Sequence, residues 1–286
     1  MQPILLHLLA TALYAGLAVH FWRSRWKGPV LDQPVSGLAA WERAWLLVAL
    51  IAHGATLAAE IFPGSLPGAE YPHGPTMRFG FSVAVSVIFW LAIALYWIES
   101  FYARMEGLQM LGLPLAAAFS LLPAIFPSHH LVANAGSVVF RAHFLMAMLA
   151  YSLFTLAALH SILMAITERR LHRGRLTPLF AGLPPLLTME ALLFRLIHAA
   201  FALLTLTLLT GVLFSESMFG KAMSFNHKTL FAFLSWGIFA ALLLGRALRG
   251  WRGRKALRWT MAGFVALVLA YVGSRFVLEV LLGRPA

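Results

Sequence analysis

The chain has 286 residues, of which 61% are hydrophobic and only 11% are charged, and its mean hydropathy is +0.82. This composition excludes a soluble globular domain. Most of the formal net charge of +12 lies in short connections between apolar segments, which favours contact with anionic lipid headgroups and argues against a nucleic-acid partner. The absence of cysteine excludes disulfides, thiolate metal sites and a thiol redox relay.

Apolar runs of membrane-spanning length recur along the whole chain, each near or above the roughly 20 residues that a bilayer helix needs. We predict spans at about 4–22, 44–62, 80–98, 108–126, 138–166, 194–214, 228–247 and 257–281. The runs lack the period-two polarity of membrane β-strands. The sequence therefore predicts an all-α fold, a polytopic bundle of eight transmembrane helices that forms a single integral membrane domain over residues 1–286.

Basic residues are concentrated in the odd-numbered connections between these spans. The main groups lie at 23–27, 169–175 and 246–258. By the positive-inside rule these connections are cytoplasmic, so both termini are predicted to lie outside, which is the periplasmic side if the membrane is the bacterial inner membrane that the resemblance given below implies. The longest cytoplasmic connection, predicted at about 168–193, separates five N-terminal spans from three C-terminal spans.

Two pairs of residues mark special positions within the spans. Pro114 and Pro123 lie in span four, which we therefore expect to be kinked. Arg275 and Glu279 are four residues apart near the end of span eight. This spacing predicts an ion pair with a structural role.

His143 is the first candidate ligand. It lies one turn into span five, near the predicted outer surface, and Ala147 and Tyr151 share its helix face. A flat ligand could rest against such a face. The alternative is a histidine that only hydrogen-bonds a neighbouring carbonyl group.

His53 is the second candidate, near the middle of span two. Glu60 follows it by seven residues, or two helical turns, so both side chains share a face. Gly54 and Ala58 flank that face and allow another helix or a ligand to approach closely. The pattern predicts either an axial ligand or a proton path, and the alternative is a structural polar contact between helices.

His227 is the third candidate, at the outer start of span seven. Asn226 or His227 itself is expected to cap that helix. Its predicted depth is level with that of His143, so the two histidines could ligate one iron. The adjacent His129 and His130 in the connection before span five are a weak metal signal.

Three segments resemble a known family. Arg141–Ser152 resembles the H-V-x-x-M-x-x-S-Y segment of the CcsA/HemX-type cytochrome c assembly proteins. Asn226–Phe239 is similar to their D-P-K-E-x-W-x-x-x-T-W-x-x-F segment. Gly250–Arg254 and Leu269–Glu279 look closest to the YpjD/HemX-like branch of bacterial inner-membrane proteins. The resemblance extends over nearly the whole chain.

The resemblance implies haem held by periplasmic and transmembrane histidines and presented from a Trp-rich loop. His143 matches the first periplasmic haem histidine. The second periplasmic haem histidine of the family would fall near Leu282, and the transmembrane histidine of span seven would fall near Gly245–Arg246. This chain has no histidine at either position. No tryptophan occurs between residues 98 and 235, so the sixth connection lacks the Trp-rich motif. Direct cytochrome c synthetase activity is therefore not expected.

Together these features lead to one hypothesis and two alternatives. We expect a membrane protein that handles haem b and assists cytochrome c or haem-protein assembly, with His143 and His227 as an outer iron site. His53, with Glu60 behind it, would bind at the midplane or pass haem outward. The first alternative is a cofactor-free scaffold or ion-efflux accessory protein that kept the fold. A b-type cytochrome needs two bis-histidine pairs and is ranked last.

Overall fold

The computed structural model describes residues 2–26, 37–62, 77–103, 107–127, 131–132, 135–172, 183–215 and 226–282. Its helices are α1 Gln2–Phe21, α2 Ala40–Ile61, α3 Phe81–Glu99, α4 Leu108–Ser120, α5 Leu122–Ile125, α6 Val138–His172, α7 Leu186–Leu213, α8 His227–Arg249 and α9 Gly253–Leu281. Within these ranges, α4 and α5 together form one span, and eight spans are long and apolar enough to cross a membrane. The predicted all-α bundle of eight spans is confirmed.

The bundle is arranged around α6, which together with α3 is its most buried helix. α6 packs against α3, α7 and α9, and α1 packs against α2 and α4. Phe154 of α6 also stacks on Phe239 of α8, with ring centroids 4.0 Å apart. Many buried residues of α6 are alanine or serine, and such small side chains let neighbouring helices approach closely.

Contacts between helix ends place both ends of the described chain on one side of the bundle. The backbone N–H of Phe81, at the start of α3, donates to Glu279 near the end of α9. His7 near the start of α1 contacts Glu60 near the end of α2. We call this end the terminal side, and the opposite end, where the arginine-rich connection between α8 and α9 lies, the basic side.

The connection between α6 and α7 is shorter than the predicted 168–193. α6 continues to His172, and α7 begins at Leu186, directly after Pro185. Glu190 makes the first turns of α7 look too polar for a span. Its carboxylate is nevertheless nearly buried, because it pairs with groups from other helices. It lies 2.7 Å from Arg246 of α8 and accepts the backbone N–H of Gly253.

Span four is interrupted as its prolines predict. Pro114 lies inside α4, and the helix ends at Ser120, three residues before Pro123. Pro123 has no N–H, and the N–H of Ala124 donates to the carbonyl of Leu121. The interruption therefore makes the Ser120 carbonyl available to a side chain from another helix.

Candidate functional site

His143 projects from the terminal-side end of α6 toward α7. Its Nδ1 atom lies 2.9 Å from Oγ1 of Thr210. The Thr210 hydroxyl also lies 2.8 Å from the carbonyl oxygen of Leu206. When the hydroxyl donates to that carbonyl, Nδ1–H of His143 donates to the hydroxyl. In that tautomer the neutral ring has its lone pair on Nε2, the form in which imidazole binds iron.

The surroundings of His143 combine a close backbone approach with aromatic rings. A Cβ atom at Gly211 of α7 would lie 3.4 Å from Cε1 of the His143 ring, so α7 passes within van der Waals distance of that ring. Phe144, the residue after His143, packs edge-on against the buried Phe79, with centroids 4.7 Å apart. Tyr271 of α9 lies 6.5 Å from Phe79. These aromatic rings join α6 and α9 near the terminal side.

His227 is the first residue of α8 and is exposed. The side chain of Asn226 accepts the backbone N–H of Thr229, so Asn226 is the N-cap and the His227 ring is not needed for that role. His227 and His143 lie on the same side of the bundle, at the starts of α8 and α6. The structure shows no contact between the two rings.

His53 is fully buried, with 0% exposure. Its Nε2 atom lies 2.9 Å from Ser86 Oγ of α3, and its Nδ1 atom lies 3.4 Å from the hydroxyl of Tyr14 of α1. Trp90 of α3 covers the neighbouring Gly54, where a Cβ atom would lie 3.1 Å from the indole ring. Binding iron at His53 would require one of its two hydrogen bonds to break.

Glu60 is on the same helix face as His53, but its carboxylate is used elsewhere. Glu60 Oε1 lies 3.4 Å from Nε2 of His7, a histidine that is 1% exposed. His7 is not among the candidate residues predicted from the sequence. A signal was present: His7 and Tyr14 are seven residues apart, as are His53 and Glu60, so an antiparallel hairpin brings both pairs into register.

The other polar predictions have simple outcomes. Arg275 and Glu279 pair at 3.5 Å, as predicted. His160, buried in α6, donates from Nε2 to the carbonyl of Met189 in α7 at 2.9 Å. His129 and His130 lie outside the described residues. Among the described residues, no three histidine or acidic side chains are grouped as metal ligands.

Comparisons with known proteins agree with this membrane architecture. Residues 71–282 match the profile of the cytochrome C assembly protein family. The inner membrane protein YpjD of Escherichia coli K12 is 29% identical over 251 residues, which cover 84% of this chain and 89% of that protein. An uncharacterized 28.8 kDa protein of Azospirillum brasilense is 35% identical over 182 residues, covering 63% of this chain and 66% of the relative.

A shorter similarity reaches the CcsA proteins. The cytochrome c biogenesis protein CcsA of Prochlorococcus marinus MIT 9515 is 36% identical over 88 residues, which are 31% of this chain and 28% of that relative. No solved structure matches the chain significantly. The molecule is thus a multi-pass helical membrane protein, and its eight spans and inner-membrane relative support location in an inner membrane. It belongs to the cytochrome C assembly protein family.

Proposed function

We propose that this protein handles haem b in a bacterial inner membrane and assists cytochrome c or haem-protein assembly. The observation that carries the proposal is the hydrogen bond between His143 Nδ1 and Thr210, because it orients the ring and, with Nδ1 as the donor, the ring ligates iron through Nε2. Family membership and the partial similarity to CcsA support a role related to cytochrome c biogenesis.

The proposal places a flat, largely apolar group with an iron at its centre beside His143. Thr210 orients the imidazole ring, and Gly211 of α7 lies within van der Waals distance of it. Phe144 is the aromatic neighbour of His143 on α6. Bound haem would supply redox chemistry, whereas the protein supplies the axial nitrogen, its orientation and an environment with little water.

The second axial position is proposed for His227. It lies at the start of α8 on the same side of the bundle as His143, and its exposure leaves the ring able to reorient. His53 remains the candidate for a midplane site, with Glu60 on its helix face, and the binding of haem there would replace a hydrogen bond to Tyr14 or Ser86.

Attachment of haem to an apocytochrome is not part of the proposal. The positions that correspond to the second periplasmic histidine and to the transmembrane histidine of the CcsA-type pattern lie near Leu282 and Gly245–Arg246. The connection from Ser215 to Lys228 contains no tryptophan. Assistance, such as holding or delivering haem, therefore fits the sequence better than synthetase activity.

The test is an absorption spectrum of the detergent-purified protein, expressed with ample haem and recorded oxidised and dithionite-reduced. We expect a Soret band and, after reduction, the sharp α and β bands of low-spin haem. His143→Ala should lose this spectrum or convert it to a high-spin form. His172→Ala is the matched control, because His172 lies exposed at the opposite end of the same helix, where its Nδ1 contacts the carbonyl of Glu168.

A wild-type preparation that stays colourless after haemin is added would exclude the proposal. So would an unchanged spectrum in His143→Ala. Either outcome would favour the alternative of a cofactor-free membrane scaffold or ion-efflux accessory protein.

A further inference from the structure

Polar side chains link α1 to α2 at two levels along the hairpin. His7 faces Glu60, and seven residues along each helix Tyr14 faces His53. His7 also places Nδ1 2.8 Å from the carbonyl oxygen of Ser120, which the interruption after α4 makes available. The His7 ring is 1% exposed, whereas the Glu60 side chain is 25% exposed. His7 is therefore shielded from solvent, whereas solvent can reach the pair at Glu60.

The Ser120 carbonyl determines how the His7 ring is protonated. A carbonyl oxygen only accepts hydrogen bonds, so His7 Nδ1 must carry a hydrogen. His7 Nε2 then faces the Glu60 carboxyl group in one of two ways. Either the carboxylic acid donates to a neutral ring, or an imidazolium donates to a carboxylate. In both cases one proton lies between the two side chains, since otherwise a nitrogen lone pair would face a carboxylate oxygen.

The neighbouring helices add polar groups to this pair but no charge. α4 and α5 contain no titratable residue, and the titratable residues of α3, Tyr96 and Glu99, lie at its far, basic-side end. The titratable side chains next along the hairpin are Tyr14 and His53. Arg78 lies beside the pair, because its backbone N–H donates to the carbonyl of Ile61, the residue after Glu60.

His53 can extend this set of polar contacts from Glu60 toward the middle of the membrane. Its two ring nitrogens contact the hydroxyl groups of Tyr14 and Ser86, and a hydroxyl can donate or accept. The ring can consequently carry its hydrogen on either nitrogen without losing a partner. It lies seven residues from Glu60 along α2, or about 10 Å.

We propose that the α1–α2 hairpin contains a proton-binding site at the membrane, in which His7 and Glu60 share one exchangeable proton taken up from the terminal side. Tyr14, His53 and Ser86 form the next polar group inward. In the transfer step the Glu60 O–H bond breaks as the His7 Nε2–H bond forms, and the reverse step returns the proton. No other reactant is needed, and the transfer between Glu60 and His7 does not involve haem.

Infrared difference spectroscopy of the full-length protein in lipid, recorded between two pH values in H₂O and D₂O, tests this site. We expect bands of a titrating carboxyl or imidazole group that shift in D₂O. Glu60→Gln should remove them, because an amide keeps the hydrogen bond but cannot titrate. Glu168→Gln is the control: Glu168 lies at the basic-side end of α6, where its carboxylate accepts a hydrogen bond from Arg254 at 2.9 Å. We expect it to retain the wild-type bands.

A Glu60→Gln spectrum that superimposes on that of the wild type would overturn the proposal. His7→Asn provides a second, independent outcome. It leaves the Glu60 carboxyl in place but removes the basic nitrogen, so the pH at which the carboxyl band titrates should shift. An unshifted band in His7→Asn would refute proton sharing even if Glu60→Gln failed to fold.

Discussion

Thr210→Val tests whether the hydrogen bond to His143 prepares that ring for iron. Valine has nearly the shape of threonine, so the substitution removes the 2.9 Å contact from Nδ1 and leaves the packing of α7 in place. Loss of such a supporting contact typically weakens metal binding about 10-fold to 100-fold. That corresponds to roughly 1.4–2.7 kcal/mol of binding free energy. Titration of the purified protein with haemin, followed at the Soret band, measures the change.

Two further variants make this measurement specific. Thr210→Ser keeps the accepting oxygen and should bind haemin nearly as well as the wild type. Thr207→Val removes a hydroxyl that donates to the carbonyl of Leu203, one turn earlier on the same helix, and should have little effect. Equal affinities in the wild type and Thr210→Val would refute the idea that Thr210 orients His143, even if His143 itself proved to be a ligand.

The remaining predictions concern packing and orientation. Gly263→Ala should lower the free energy of unfolding by about 1–3 kcal/mol, because its Cβ would lie 2.7 Å from the fully buried Phe239 ring. Gly237→Ala, with nothing within 4 Å of the new Cβ, should leave stability in a detergent unfolding assay close to that of the wild type. Since the chain has no cysteine, Tyr102→Cys and Val138→Cys can each be labelled alone. If the termini are periplasmic, an impermeant thiol reagent should label only Val138→Cys in intact cells, and the opposite pattern would reverse the topology.

Much of the fold was predictable because membrane spans are encoded locally. Hydropathy and length identified eight spans, the prolines of span four indicated its interruption, and the i, i+4 spacing of Arg275 and Glu279 indicated their ion pair. The start of α7 was placed too late, because Glu190 makes this segment look polar. Its partner Arg246 lies 56 residues away, where no local pattern reveals it.

The candidate site was predictable only in part. The position of His143 near a helix start followed from the sequence, but its tautomer depends on Thr210, 67 residues further along. His7 was missed because its importance depends on the register of α1 against α2 and on a carbonyl made available by the interruption of span four. A lone histidine near a helix end carries no such information by itself.

The two proposed sites can be tested independently because different helices build them. The outer haem site is proposed on His143 of α6, Thr210 of α7 and His227 of α8, within the segment 71–282 that matches the family, whereas His7 and Glu60 lie outside that segment. Distant sites without shared partners usually contribute additively. His7→Asn should thus leave haemin affinity at the outer site unchanged, and His143→Ala should leave the pH-dependent infrared bands unchanged. If His7→Asn weakened haemin binding, the hairpin and the haem site would be coupled, and the proton would belong to the haem chemistry of this protein.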